Sequence, residues 1–148
     1  MDKKVRQRRN QKEVNLTEQT LIIIKPDAVE RNLIGEIISR FENKGFKFVK
    51  LQMLSLTKEM AEKFYSEHKD KRFFTELVSF ITSRNVVVAV IEGENVITIT
   101  RLMVGATKSF EAAPGSIRGD LGLGITNNII HASDSPQSFE KEVNVVFT

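Results

Sequence analysis

The sequence has 148 residues, 41% of them hydrophobic, and a formal net charge of +3. That is enough for one domain with a real core, and no apolar run reaches the length of a membrane span. There is no cysteine and there are only two histidines, which excludes disulfides, thiolate metal sites, cysteine nucleophiles and a His-rich zinc centre.

The charge is unevenly placed. Residues 1–13 hold six basic side chains (Lys3, Lys4, Arg6, Arg8, Arg9, Lys12) and two acidic ones, Asp2 and Glu13. Of the totals of 22 basic and 19 acidic, 16 and 17 remain for the rest, a nearly neutral body. Residues 1–18 therefore read as a basic, flexible N-terminal extension and residues 19–148 as the domain. The extension lacks the apolar stretch of a secretory signal, so the expected compartment is the cytoplasm. Contact with nucleic acid is the sharper reading of such a charge cluster, but no aromatic residue is interleaved to stack on bases.

Along the chain, TLIIIK (20–25) reads as a buried strand ending on a lysine. Ile34, Ile37, Ile38 and Phe41 mark an amphipathic helix that Gly45 closes. FKFVKLQML (46–54) alternates with one slip at Phe48-Val49, the mark of a bulged strand. Thr57 caps a short helix carrying Met60 and Phe64, and a helix with Phe74, Leu77, Val78 and Ile81 on one stripe follows. NVVVAVIE (85–92) is the next strand. Residues 95–104 favour a strand by propensity, but Val96, Ile99, Leu102 and Met103 fit a helix ending at Gly105, and helix is the reading adopted. Residues 105–126 hold five of the eight glycines and read as a long irregular loop, a kind that is usually functional. Ser135 and Pro136 open a short helix, and VNVVF then reads as a terminal strand. The order points to an α+β fold: a four-stranded antiparallel sheet of ferredoxin-like type covered by helices on one face.

The chemistry centres on His131 in NNIIHASDSP (127–136). It lies between the Gly-rich loop and a helix N-terminus, both sources of backbone N–H groups that favour anions. A neutral imidazole there can attack a phosphoryl group, with Glu142 as a candidate to fix its tautomer. Arg118 in GSIRGD, Arg101 before Gly105, and Lys25 at the sheet rim each read alone as surface cations. Converging on one histidine, they would neutralise a polyphosphate. Phe73, off the core stripe, reads as edge packing or as an aromatic face for a base. His68, on a polar stretch, reads as a surface residue. Any metal would be a hard cation held by oxygens, often a substrate's.

Five ordered segments carry a resemblance: IIIKPDAVER (22–31), EHKDKRFF (67–74), RLMVGAT (101–107), PGSIRGD (114–120) and NNIIHASDSP (127–136). Over roughly residues 19–147 the chain resembles the nucleoside diphosphate kinase family, and the last segment matches its active-site signature. The resemblance implies that His131 takes the γ-phosphate of a nucleoside triphosphate as phosphohistidine and passes it to a nucleoside diphosphate, in a ping-pong cycle. It implies that Glu142 orients the imidazole, supported by Ser133. Arg101, Thr107 and Arg118 hold phosphates; Lys25 and Asn128 contact the ribose and the phosphate end; Tyr65 hydrogen-bonds near Lys25 and His131. Phe73 and Ile125 sandwich the base without reading its edges, so broad base tolerance follows. Mg²⁺ comes with the nucleotide, and Asp134 reaches it through water. A homo-oligomer is implied, a hexamer ahead of a tetramer.

Some positions depart from the family pattern. Arg72 stands where proline is usual, and SRNVVV (83–88) lacks the usual Gly-Pro. The chain ends at Phe147-Thr148, at the end of the expected last strand, where many members continue with a segment that contacts neighbouring subunits. Two other functions fit the same residues: a nucleic-acid-binding or regulatory module using the basic tail, and a donor passing phosphate from His131 to a protein.

Overall fold

The computed structural model describes residues 17–147; the basic cluster of residues 1–13 lies outside them. The chain forms β1 (Thr17–Ile24), α1 (Pro26–Glu30), α2 (Ile34–Lys44), β2 (Lys47–Leu54), α3 (Lys58–Phe64), α4 (Phe74–Ile81), β3 (Val86–Glu94), α5 (Val96–Val104), α6 (Ile117–Leu121), β4 (Ile130–Ala132) and α7 (Pro136–Val146). Short 3-10 turns cover Ser66–His68 and Ser109–Glu111. β1 already begins at Thr17, inside the stretch read as the extension. Among the described residues, no helix is long and apolar enough to cross a membrane.

The sheet is antiparallel in the order β2-β3-β1-β4, the ferredoxin-like arrangement expected. β1 and β3 are its central strands, and successive residues in both are buried. Such continuous apolar runs need cover on both faces. Ile22, Ile24, Val87, Ala89 and Ile91 pack with Ile37, Phe41, Val96 and Ile117 on one side. Leu21, Ile23, Val86, Val88 and Val90 pack with Phe64, Val78, Ile81 and Val146 on the other. The expectation of helices on one face only is thus corrected.

Most local expectations hold. Gly45 ends α2 with φ 101°, the bulge in β2 falls between Phe48 and Lys50, and the Thr57 side chain caps α3 by accepting from Met60 N–H at 3.1 Å. Residues 96–104 are a helix. Two expectations fail. The 105–126 segment is not wholly irregular; it carries α6 and a 3-10 turn. It folds tightly because Gly119 sits against the Ala113 carbonyl, where a Cβ would overlap it. The second failure is larger. VNVVF is not a strand: α7 continues to Val146, and the fourth strand is the three-residue β4 that carries His131. Ser135 caps α7 by accepting from Ser138 N–H at 3.1 Å. Phe139, Val143 and Val146, at i, i+4 and i+7, then turn one stripe of α7 into the core.

Candidate active site

β4 sets the histidine. Ile22, Ile23 and Ile24 pair with Ala132, His131 and Ile130, so His131 is braced against a central strand while its ring leaves the sheet. The ring meets Phe64 edge-on at 5.0 Å between centroids. Both carboxylate oxygens of Glu142, on α7, lie 2.9 and 3.0 Å from Nε2, and Ser133 Oγ donates to Glu142 Oε1 at 2.7 Å. An ionised carboxylate only accepts hydrogen bonds, so Nε2 carries the proton and the neutral ring keeps its lone pair on Nδ1. Glu142 and Ser133 are buried, so the pair is a fixed mount. The pocket in front of it is lined by Tyr65, His68, Arg101, His131 and Asp134 among others.

Behind His131 lies a second network. Lys25 is buried and donates to Asn128 Oδ1 at 2.7 Å and to Thr126 O at 3.4 Å. Asn128 Nδ2 donates to Thr107 O at 2.8 Å. Arg118 is also buried, and it donates to the carbonyls of Asn128, Gly105 and Ile130 at 3.3, 3.0 and 2.6 Å. A guanidinium has five N–H donors, so two remain for an incoming anion. Burial, then the charge of Arg118, lowers the Lys25 pKa to about 7, partly offset by Asp27. Burial, then the charge of Arg101, lowers that of Arg118 to about 10. Each of these two buried cations is thus depressed by burial and by a neighbouring cation, a strain that an anion bound there would relieve. Arg101 reaches the same region by donating to Ala132 O at 3.3 Å.

The structure thus brings together His131, Glu142, Arg101, Tyr65 and Asp134 around one pocket, with Ser133 buried against Glu142 and Lys25, Asn128, Thr107 and Arg118 linked to one another. Thr107 joins through its carbonyl; its side chain is exposed. The Tyr65 ring is mostly buried against Phe64, and burial, then Glu142, raises its phenol pKa. A hydrogen bond of the Tyr65 hydroxyl, expected near Lys25 and His131, is not among those formed by the described residues. Phe73 and Ile125 are 43% and 50% exposed. Phe73 connects inward through His68, 5.5 Å from its ring, and His68 lies 6.5 Å from Tyr65.

His68 is therefore more than the surface residue expected: it lines the pocket and meets Lys71 Nζ through Nδ1 at 3.0 Å. A three-residue turn has no periodicity that could reveal this. Asp27 also joins the site, where the sequence marks it out by nothing more than polarity. Its Oδ2 accepts the Ile129 N–H at 3.1 Å, and Ile129 has φ 64°. A β-branched residue in that region costs about 1–3 kcal/mol. The sequence signal was only a polar residue following Lys25-Pro26.

No cluster of three or more His, Cys, Asp or Glu side chains that could hold a metal is present among the described residues. Two exposed carboxylates, Asp134 and Glu67, stand at the pocket, and Glu67 is paired with Lys141 at 3.6 Å. For Asp134, the hydrogen bond from Ser138 comes first among the causes that hold its pKa below the usual range, so it is ionised. That donor set fits a cation delivered by a substrate, not a resident ion.

The nucleoside diphosphate kinase family model matches residues 18–148. A nucleoside diphosphate kinase of Methanocaldococcus jannaschii is 53% identical, over 89% of this chain and 94% of its own. One of Halalkalibacterium halodurans is 54% identical, over 88% of each. The crystal structure of the Aquifex aeolicus nucleoside diphosphate kinase has a TM-score of 0.86 at 46% identity, covering 89% of this chain and 96% of that one. A Halobacterium salinarum nucleoside diphosphate kinase in complex with CDP has a TM-score of 0.86 at 44% identity, covering 88% and 87%. A match across the whole described body leaves the nucleic-acid-module reading unfavoured. The chain belongs to the nucleoside diphosphate kinase family and transfers phosphate from nucleoside triphosphates to nucleoside diphosphates.

Proposed function

We propose that the transfer runs by a ping-pong route through Nδ1 of His131. The observation that carries this is the clamp of Glu142 on Nε2, which leaves Nδ1 as the ring nitrogen with its lone pair available. Nδ1 attacks the γ-phosphorus, its bond to the bridging oxygen breaks, and the nucleoside diphosphate leaves. The imidazolium formed keeps its proton on Nε2, where Glu142 stabilises it. A second diphosphate then takes the phosphoryl group by the reverse displacement.

The cations divide the remaining work. Arg101 and the two free donors of Arg118 meet the phosphates, with Thr107 beside them, and Lys25 and Asn128 hold the ribose and the phosphate end. Phe73 and Ile125, exposed at the rim, offer apolar faces to the base. Tyr65 and His68 form the wall between base and phosphates. Asp134 would hold Mg²⁺ through water. Bound with the nucleotide, that ion would neutralise charge between the phosphates.

Homo-oligomerisation, with a hexamer ahead of a tetramer, belongs to the same proposal. β2 is an edge strand, and Val49, Leu51 and Met53 on it are 43%, 53% and 51% exposed. An unpaired apolar edge of this kind asks for cover. Cytoplasmic residence fits the supply of nucleotides the reaction uses.

Steady-state kinetics test the route. Varying a nucleoside triphosphate at several fixed diphosphate concentrations should give parallel double-reciprocal lines. Intersecting lines would mean direct transfer in a ternary complex and would remove the phosphohistidine from the account.

A further inference from the structure

The approach to His131 contains a conformation that its own sequence opposes. Among the described residues, three non-glycine residues have positive φ: Asn32, Asn95 and Ile129. Asparagine tolerates this region, whereas isoleucine does not. The Ile130 N–H donates to Asn128 O at 2.8 Å, closing a γ-turn around Ile129. Something outside the turn must hold it.

The holder is the segment that leaves β1. Lys25 N–H donates to Ile129 O at 2.9 Å, and Asp27 Oδ2 accepts the Ile129 N–H at 3.1 Å. Both polar groups of the strained residue are therefore tied to residues 25–27. The carbonyls on either side, of Asn128 and Ile130, are the ones that take the Arg118 guanidinium, and the Asn128 side chain takes Lys25. His131 follows one residue later. A relaxed turn would swing both carbonyls and Asn128 together. Asp27 Oδ1 is meanwhile buried with no hydrogen-bond partner. A buried oxygen left without a donor weakens the fold.

We propose that Asp27 is a positioning residue whose Oδ2 holds the Ile129 turn so that Lys25, Asn128, Arg118 and His131 keep one mutual geometry for phosphoryl transfer. Asp27 touches neither the phosphate nor the imidazole; it acts through the Ile129 peptide. The inference rests on the proposal that His131 carries the phosphate.

The test is the single-turnover phosphorylation of the full chain by γ-labelled ATP with Mg²⁺, at saturating and sub-saturating nucleotide, with thermal unfolding in parallel. Wild type must label first; if it does not, the phosphohistidine reading fails and takes this inference with it, whereas the variants below test this inference alone. Asp27→Ala removes the acceptor, Asp27→Asn keeps it in place without charge, and Asp27→Glu keeps the charge but displaces the acceptor by a methylene. The expected result is a loss of about tenfold or more in the saturated rate for Ala and Glu, with Asn recovering most of it. Half-saturation should move less than the rate. An Ala variant at the wild-type rate would overturn the proposal. Should Ala not fold, Glu and Asn decide: Asn faster than Glu supports placement of the acceptor, and Glu equal to or faster than Asn overturns it.

Discussion

Glu142 meets His131 across 11 residues of sequence, with both carboxylate oxygens within 3.0 Å of Nε2. The contact needs β4 and α7 to fold back on each other, and Ser133, on the turn between them, donates to the same carboxylate. Glu142→Gln keeps the volume and one acceptor but removes the charge that stabilises the developing imidazolium. Orienting partners of this kind cost about 10–100-fold when lost. The phosphorylation rate at saturating ATP should fall by that order, with little change in the concentration that half-saturates it. An unchanged rate would mean that the imidazole needs no anionic partner.

Ser133→Ala should act mainly on stability. Ser133 is fully buried, and its removal leaves Glu142 Oε1 one donor short. Denaturant unfolding should show a loss of about 1–3 kcal/mol. The denaturant slope should be unchanged, since the buried surface is the same.

Lys25 makes a pH-dependent prediction. Its folded pKa of about 7 lies below the ordinary lysine value of 10.5, so the unfolded chain binds the proton more tightly. Between pH 7 and 10.5 the unfolded state therefore holds more protons, and stability rises with pH. Below pH 7 both states are protonated and the full cost of burying the charge is present. Lys25→Met should stabilise the fold most below pH 7, the gain shrinking toward pH 10 by about 1.36 kcal/mol for each pH unit crossed. Activity should be lost throughout. Urea melts of both chains at pH 6 and pH 9 check the sign, and a gain that grows with pH would contradict it.

Phe73→Ala separates base binding from chemistry. Stacking on an aromatic is worth about 1–3 kcal/mol per base, so KM should rise by about 5- to 150-fold. Because the ring contacts ground state and transition state alike, kcat should hold. The effect should be similar for purine and pyrimidine nucleotides. A loss confined to one base would mean edge recognition instead.

Much of this site was legible in the sequence because its residues lie in short segments with fixed spacing: Lys25 at the end of an apolar run, His131 after Ile129-Ile130, Ser135-Pro136 opening a helix. What was not legible depends on long-range pairing. β4 has three residues, too few for alternation, and it exists because β1 offers an edge to it. VNVVF has the β-branched residues of a strand, but a capped helix with a buried stripe overrode that propensity. Asp27 and Ile129 sit 102 residues apart in sequence, and no local pattern announces a left-handed isoleucine.

The most direct measurement is a transfer of label. The protein is incubated with γ-labelled ATP and Mg²⁺, freed of nucleotide, and assayed for acid-labile phosphate; unlabelled GDP is then added. The account predicts label on wild type, none on His131→Ala, and its quantitative movement to GTP. Folded, nucleotide-binding protein that takes up no label, or a His131→Ala chain that does, would contradict it.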